Sequence, residues 1–154
     1  MEKRKKAIAE YKKLQKKYKL PPLEEVERTL GLYFSEPAPF ISSMINSLIK
    51  KMAFPSNYVS SLLQPTSLLN VIESSFFTQK EKEDMFELAS TCMSKVCLLE
   101  AVVFDGDGEK ARIFNEVYGF FNKKVIPFNK KLLKKLSKKW VQKDMKKEMH
   151  NYFG

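Results

Sequence analysis

The stretch from Thr78 to Phe104 constrains the fold more than any other part of the chain. Thr78 followed by Glu81 has the spacing of a capping box, in which two side chains satisfy free amide groups at a helix start. Apolar residues then recur every three or four positions, which is typical of one helix face: Met85, Leu88, Ala89, Cys92, Val96, Leu99 and Val103. The stretch therefore predicts a long α-helix.

The second half of this predicted helix is apolar on every side. Between Val96 and Phe104, Glu100 is the only charged residue. A helix that is apolar all round is normally covered on all sides. We therefore expect this end of the helix at the centre of a bundle, and we expect glycines in the segment 105–108 to close it in the left-handed conformation.

The rest of the chain shows the same helical periodicity, and no stretch alternates convincingly at period two. Residues 2–18 predict a helix whose narrow apolar stripe consists of Ala7, Tyr11, Leu14 and Tyr18. Further helices are predicted over residues 22–30, from Ser35 to about Met52, over 57–63, over 67–77 and after Gly108. A length of 154 residues suits one domain. We predict an all-α, single-domain helical bundle of about five to seven helices spanning residues 1–154.

A proline interrupts the last helical pattern. Apolar residues keep helical spacing from Phe114 to Trp140, straight across Pro127. A proline inside a helix removes a hydrogen bond and clashes with the preceding turn. The sequence therefore predicts a kink or break near Pro127, between Asn122 and Pro127, followed by a basic helix over residues 128–151. The expected core includes Ile45, Leu48, Cys92, Val96, Leu99, Phe114, Phe121 and Trp140.

Charge is distributed unevenly along the chain. Residues 1–19 carry nine basic and two acidic side chains, residues 123–154 carry eleven and two, and residues 20–122 carry eight and fourteen. Two basic ends therefore flank an acidic middle. Almost all the basic residues are lysine, a hydrated point charge, so the composition argues against sequence-specific base recognition.

The C-terminal lysines form two ridges on the predicted helix. One ridge contains Lys130, Lys134 and Lys138, and the other contains Lys131, Lys135 and Lys139. Like charges at this spacing repel, and no acid lies between Lys123 and Lys143 to relieve them. The ridges are either a solvated, solubilising face or a binding site for an anionic partner such as an RNA or DNA backbone. These six lysines are the candidate nucleic-acid-binding residues.

The sequence offers little catalytic or metal-binding chemistry. The single histidine, His150, lies near the C-terminus, and no catalytic, metal or cofactor site is predicted. Cys92 and Cys97 point about 140° apart on a helix, so they cannot bridge and are expected as reduced core residues in a cytoplasmic protein. If Glu100 were buried, its pKa would rise as in a general acid, but an edge position is the simpler interpretation. The acidic loop at 105–109 departs from the EF-hand pattern and is read as a polar turn.

Two segments bear on membranes. Residues 1–6 lead into more lysine instead of an apolar run, so no signal peptide is expected. The uncharged stretch Met52–Ile72 is long enough to suggest a membrane span. It contains Pro55, Pro65 and several polar side chains, and we therefore expect no span there.

The segment Lys-Tyr-Lys-Leu-Pro-Pro-Leu-Glu-Glu, residues 17–25, resembles the opening of small uncharacterised archaeal all-helical proteins. The resemblance covers under a tenth of the chain. It implies an all-helical cytoplasmic protein, and it carries over no function and no site residue.

Three hypotheses for function follow. The first is a non-enzymatic helical interaction protein that binds another protein, or itself, through a helix face. The alternative is a sequence-nonspecific nucleic-acid binder that uses the lysine-rich helices. The third is an enzyme with an acid built on Glu100. Clustering of both basic ends on one surface would favour the second hypothesis, whereas dispersal, or packing against the acidic middle, would favour the first.

Overall fold

The regular structure of the protein is helical throughout the described residues, which in this computed structural model are 1–142, 147, 150 and 151. The all-α prediction is therefore confirmed, and the number of α-helices in the described residues falls within the predicted range of about five to seven. In chain order the α-helices are α1 (Glu2–Tyr18), α2 (Leu23–Leu30), α3 (Phe40–Leu63), α4 (Leu68–Ser75), α5 (Gln79–Val102), α6 (Asp107–Phe120) and α7 (Ile126–Gln142). The predicted continuation of the last helix to residue 151 falls largely on residues outside those described.

The long helices α3 and α5 pack on each other and organise the molecule. Their apolar faces contribute to two hydrophobic clusters. The first cluster joins the N-terminal half of α3 and the C-terminal half of α5 to α1, α2 and α6. The second joins the other halves of α3 and α5 to α4 and α7. The two basic helices, α1 and α7, therefore pack on different parts of the core.

The N-terminal helix is anchored on its own chain. Ala7 and Tyr11 are fully buried, and the Tyr11 hydroxyl donates a hydrogen bond to the Pro21 carbonyl at 2.8 Å. Burial raises the pKa of Tyr11 above its ordinary value. The apolar stripe of α1 is thus satisfied within the domain.

The observed helix ends agree in part with those predicted from the sequence. The capping box is confirmed: Thr78 Oγ1 accepts from the Glu81 amide at 3.2 Å, and Glu81 Oε2 accepts from the Thr78 amide at 2.9 Å. Gly31, with φ of 68°, closes α2 directly after the predicted helix over residues 22–30. The prediction for α5 was wrong, because Gly106 has φ of −72° and forms the N-cap of α6.

Prolines correct two predicted boundaries. Helix α3 begins at Phe40, after Pro37 and Pro39, because the residue before a proline avoids helical angles. It then continues through Pro55 to Leu63, where the sequence predicted two separate helices. An interior proline costs about 3 kcal/mol. Burial of Met52 and Val59 on either side offsets this cost.

The interruption predicted between Asn122 and Pro127 is present as a π-helical turn, Phe121–Val125. The Ile126 amide donates to the Phe121 carbonyl, one residue further back than in an α-helix. Pro127 has no amide hydrogen, so the regular α-helical ladder could not pass it intact. The extra residue per turn lets α7 follow α6 without a break.

Most of the predicted core is buried: Ile45, Leu48, Cys92, Val96, Leu99, Phe114 and Phe121. Trp140 is only half-buried: its ring packs edge-on against Phe76, and its indole N–H donates to Glu73 Oε1 at 2.9 Å. The expectation that the far end of α5 is covered on all sides was wrong. Leu98 and Val103 are each 43% exposed and Phe104 is 91% exposed.

Candidate interaction surface

A groove of about 400 Å³ runs between the second half of α3 and the middle of α5. Buried Val59 and Ala89 contribute to its lining. Three larger apolar side chains in the lining are partly exposed to solvent: Leu63 at 44%, Phe86 at 58% and Met93 at 46%. The Ser56 hydroxyl, also in the lining, donates to the Ala89 carbonyl at 3.2 Å and ties α3 to α5.

Apart from Phe86, the residues that line the groove come from two uncharged stretches of the chain. Residues 52–72 and 88–94 contain no acidic or basic side chain, although 30% of all residues are charged. The small polar residues Ser60 and Ser90 line the groove between its apolar residues. A wall of small uncharged side chains permits another backbone to approach closely, and exposed apolar residues rimmed by polar ones mark interaction sites.

The apolar character extends beyond the groove along α5. At 100° per residue, positions 86, 93, 97 and 104 fall within about 40° of one another on the helix. Cys97 and Ala101 are exposed on this side, and Val103 keeps right-handed helical angles, so Phe104 continues the track. We call this region the α3–α5 surface, defined by Ser56, Ser60, Leu63, Phe86, Ser90, Met93, Cys97, Ala101 and Phe104.

The charged residues near this part of α5 are few. By the same count Glu100 falls about 20° from Met93, so one exposed carboxylate lies on this side of α5, whereas exposed Glu87 falls about 100° from Phe86. Lys95 is turned to the opposite side of the helix, where its Nζ donates to Glu116 Oε1 at 3.0 Å and lies 5.3 Å from the Phe120 ring centroid. The α3–α5 surface can therefore be covered without desolvating a lysine.

The structure separates the six candidate lysines of α7 into two groups. Lys130, Lys131, Lys134, Lys138 and Lys139 are exposed, and they form no ion pair within the described residues. Lys135 differs: its ammonium group pairs with Glu81 and lies 4.8 Å from the Phe77 ring centroid. That ion pair and the capping bond from Thr78 hold the pKa of Glu81 below its ordinary value. Lys135 is therefore mainly a contact between α7 and α5.

A second cavity, of about 210 Å³, lies beside this ion pair between α5 and α7. Its apolar lining residues are Phe77, Met85, Leu88, Phe128 and Leu132, and its charged residues are Glu81, Asp84, Lys131 and Lys135. Acidic and basic side chains both line this small space, so it does not form an anion-binding pocket.

The two basic ends lie on different hydrophobic clusters, and each is attached to the acidic middle segment through a part-buried ion pair. Both guanidinium amines of Arg4 bond Glu27, at 2.6 and 2.7 Å, while Lys135 bonds Glu81 on the other cluster. Arg4 Nη1 also donates to the Phe34 carbonyl at 2.6 Å. By the criterion stated above, this arrangement favours the interaction hypothesis over a single basic surface.

The residues considered for chemistry lie apart. Cys92 is buried, and desolvation raises the pKa of its thiol to about 11, whereas Cys97 is exposed, so the expectation that both are core residues was half wrong. Glu100 and His150 are exposed. Among the described residues, no three histidine, cysteine, aspartate or glutamate side chains form a group able to hold a metal ion. The aromatic residues from position 114 to position 128 could stack on bases only if they were exposed, and they are buried or half-buried: Phe114, Tyr118, Phe120, Phe121 and Phe128.

The sequence contained a signal for the α3–α5 surface. By its length and lack of charge, the stretch Met52–Ile72 suggests a membrane span. None of the helices within the described residues combines the length and the hydropathy needed to cross a bilayer. The absence of charge instead provides one wall of the groove.

Comparison of the chain with protein-family models, with curated proteins and with solved structures finds no match. The resemblance of residues 17–25 to small archaeal helical proteins therefore stays a prediction. Any functional conclusion depends on the surface of this chain.

Proposed function

We propose that this protein is a non-enzymatic helical interaction protein that binds its partner through the α3–α5 surface. The observation that supports the proposal most is the uncharged groove with exposed Phe86 and Met93, continued along α5 to exposed Phe104, on a chain of net charge +10. Grooves between helices commonly receive the apolar face of another helix. The two unbridged cysteines support a reducing, cytoplasmic setting.

Co-purification tests this proposal. A tagged chain is produced beside the untagged chain in the cell of origin and recovered after nuclease treatment and a high-salt wash. An apolar interface should survive both treatments, because salt weakens exposed charge pairs far more than apolar contacts. Retention of a second copy or another protein is expected for the natural chain and for Lys134→Gln. It should be lost for Ser90→Glu.

Lys134→Gln removes an exposed charge outside the α3–α5 surface, so it is the matched control for Ser90→Glu. Ser90 is itself exposed, so its replacement should leave the fold intact, which circular dichroism checks. Equal retention by the natural chain and Ser90→Glu would contradict the proposal. Retention that disappears with nuclease would instead favour the second candidate function.

That second candidate is sequence-nonspecific binding to an RNA or DNA backbone by α7. The observation in its favour is the row of five exposed lysines without ion pairs in the described residues, with intrahelical neighbours of the same sign. Phosphate neutralisation would relieve this repulsion. Only one basic end would take part, because α1 packs on the other hydrophobic cluster.

A further inference from the structure

We infer that the occupant of the α3–α5 surface is a second copy of this chain, packed by a two-fold axis so that the two α5 helices run antiparallel. This inference rests on the proposed function and specifies its partner. It is supported by charge, by the shape of the surface and by the spacing of residues along α5.

The distribution of lysines determines which surfaces of two copies can come into contact. Each copy carries a net charge of +10, so contact between lysine-rich helices would be repulsive. The α3–α5 surface contains no lysine, and the nearby Lys95 is engaged with Glu116 on the other side of the helix. Two copies can therefore meet through this surface without bringing lysines together, and Glu100, the acidic side chain on that side of α5, is opposite in sign to the net charge of the partner copy.

The surface carries both a protruding group and a space to receive it. Phe104, 91% exposed, lies at one end of the α5 face. The groove beside Phe86 lies at the other end, about 27 Å away at 1.5 Å per residue. A two-fold axis that crosses the α5 face midway between Ser94 and Cys97 places Phe104 of each copy near the Phe86 end of the other copy's groove. The same two-fold rotation therefore forms the contact between Phe104 and the groove twice, once in each direction.

The small residues on α5 fit the same register. Ser90, Ser94, Cys97 and Ala101 follow one another at spacings of four, three and four, which read the same in both directions. In an antiparallel pair Ser90 of one copy therefore meets Ala101 of the other, and Ser94 meets Cys97. Small side chains opposite small side chains allow the two helices to approach closely.

The available area suits a reversible dimer. A face about 27 Å long and about 20 Å wide, formed by two neighbouring helices, offers roughly 500 Å² per copy. The total, near 1,000 Å², lies at the lower limit for specific interfaces. We therefore expect a dimer that dissociates on dilution.

Sedimentation equilibrium of charge variants tests the register. Ser90→Glu and Ala101→Lys each place a charge in an apolar contact, and each should raise the dimer dissociation constant about tenfold or more. The double variant S90E/A101K should recover much of the affinity, because each glutamate then faces a lysine of the other copy. Within one chain the two positions are about 16 Å apart, so they cannot pair internally.

Two controls accompany this cycle. S90K/A101K carries the same number of substitutions with like charges and should remain monomeric. Leu133→Glu changes an exposed apolar residue on α7 and should leave dimerisation unchanged. Recovery in S90E/A101K but not in S90K/A101K would establish the antiparallel register.

Two results would overturn the inference. One is a natural chain that stays monomeric at every concentration, and the other is a dimer that Ser90→Glu leaves intact. A monomeric chain that still retains another protein through Ser90 would refute the second copy as occupant and leave the proposed function standing. A natural chain that neither dimerises nor retains another protein would refute both the second copy as occupant and the proposed function.

Discussion

Phe86 and Phe104 project from the same uncovered side of α5, about five helical turns apart. On this side, between them, lie Ser90, Met93, Cys97, Ala101 and the carboxylate of Glu100, all exposed, while other parts of the helix pack on α3 and α6. The fold buries two complete clusters without using either phenylalanine. These side chains are therefore available for an intermolecular contact.

Neighbouring leucines on α5 provide a direct check of the packing. Leu99 is fully buried and Leu98 is 43% exposed. Leu99→Ala should lower the free energy of unfolding by about 2–5 kcal/mol, the usual cost of truncating a buried leucine. Leu98→Ala should cost less than about 1 kcal/mol. Chemical denaturation of monomeric protein measures both, and equal losses would contradict the placement of α5.

Two adjacent basic residues of α1 should differ in their contribution to stability. Arg4 makes a bidentate, largely buried ion pair with Glu27, whereas the Lys3–Glu36 pair is exposed. Arg4→Ala should cost about 1.5–3 kcal/mol, because hydrogen bonds between charged groups are lost and Glu27 remains partly buried. Lys3→Ala should cost about 0–1 kcal/mol. Thermal unfolding compares the two, and a larger loss for Lys3→Ala would refute this assignment.

The same ion pair should make stability depend on pH. The hydrogen bond from Arg4 lowers the pKa of Glu27 below its ordinary value of 4.5. The resulting stabilisation is complete above pH 4.5 and is lost as the pH falls through the lower pKa of the folded state. In Glu27→Gln the free energy of unfolding, measured with denaturant, should fall less steeply as the pH is lowered. An unchanged acid limb would mean that other carboxylates dominate it.

The lysines of α7 permit a test of the second candidate function. We expect K131Q/K134Q/K138Q, which spares the Lys135–Glu81 pair, to leave stability equal or slightly higher, because repulsion is removed. If α7 neutralises about 3–5 phosphates, the logarithm of affinity for duplex DNA should fall with that of salt with a slope of roughly −3 to −4.5. The triple variant should flatten this slope. K12Q/K13Q/K16Q on α1 is the matched control, and equal effects of both triples would contradict a site on α7.

Sequence periodicity was sufficient for the helices but not for every boundary. Local signals such as the Thr78–Glu81 capping box and the proline that predicts an irregular turn before Pro127 were predictive, because they depend on neighbouring residues. The boundary predicted at Pro55 was wrong. The sequence shows the free-energy cost of a proline inside a helix, but it does not show the burial of α3 against the rest of the fold, which offsets that cost. The exposure of Phe104 was missed for a related reason. Periodicity shows that a face is apolar, but not whether another element of the chain covers it.

Alkylation of Cys97 is the most direct test of the α3–α5 surface as an interface. Its thiol is exposed on that surface, while Cys92 is buried with a pKa of about 11 and is an internal control. Mass spectrometry of the modified protein follows each cysteine separately. We predict that the alkylation rate of Cys97 falls as protein concentration rises in the natural chain and stays constant in Ser90→Glu. A rate that is independent of concentration in the natural chain, with no protection by any co-purified protein, would contradict the proposal.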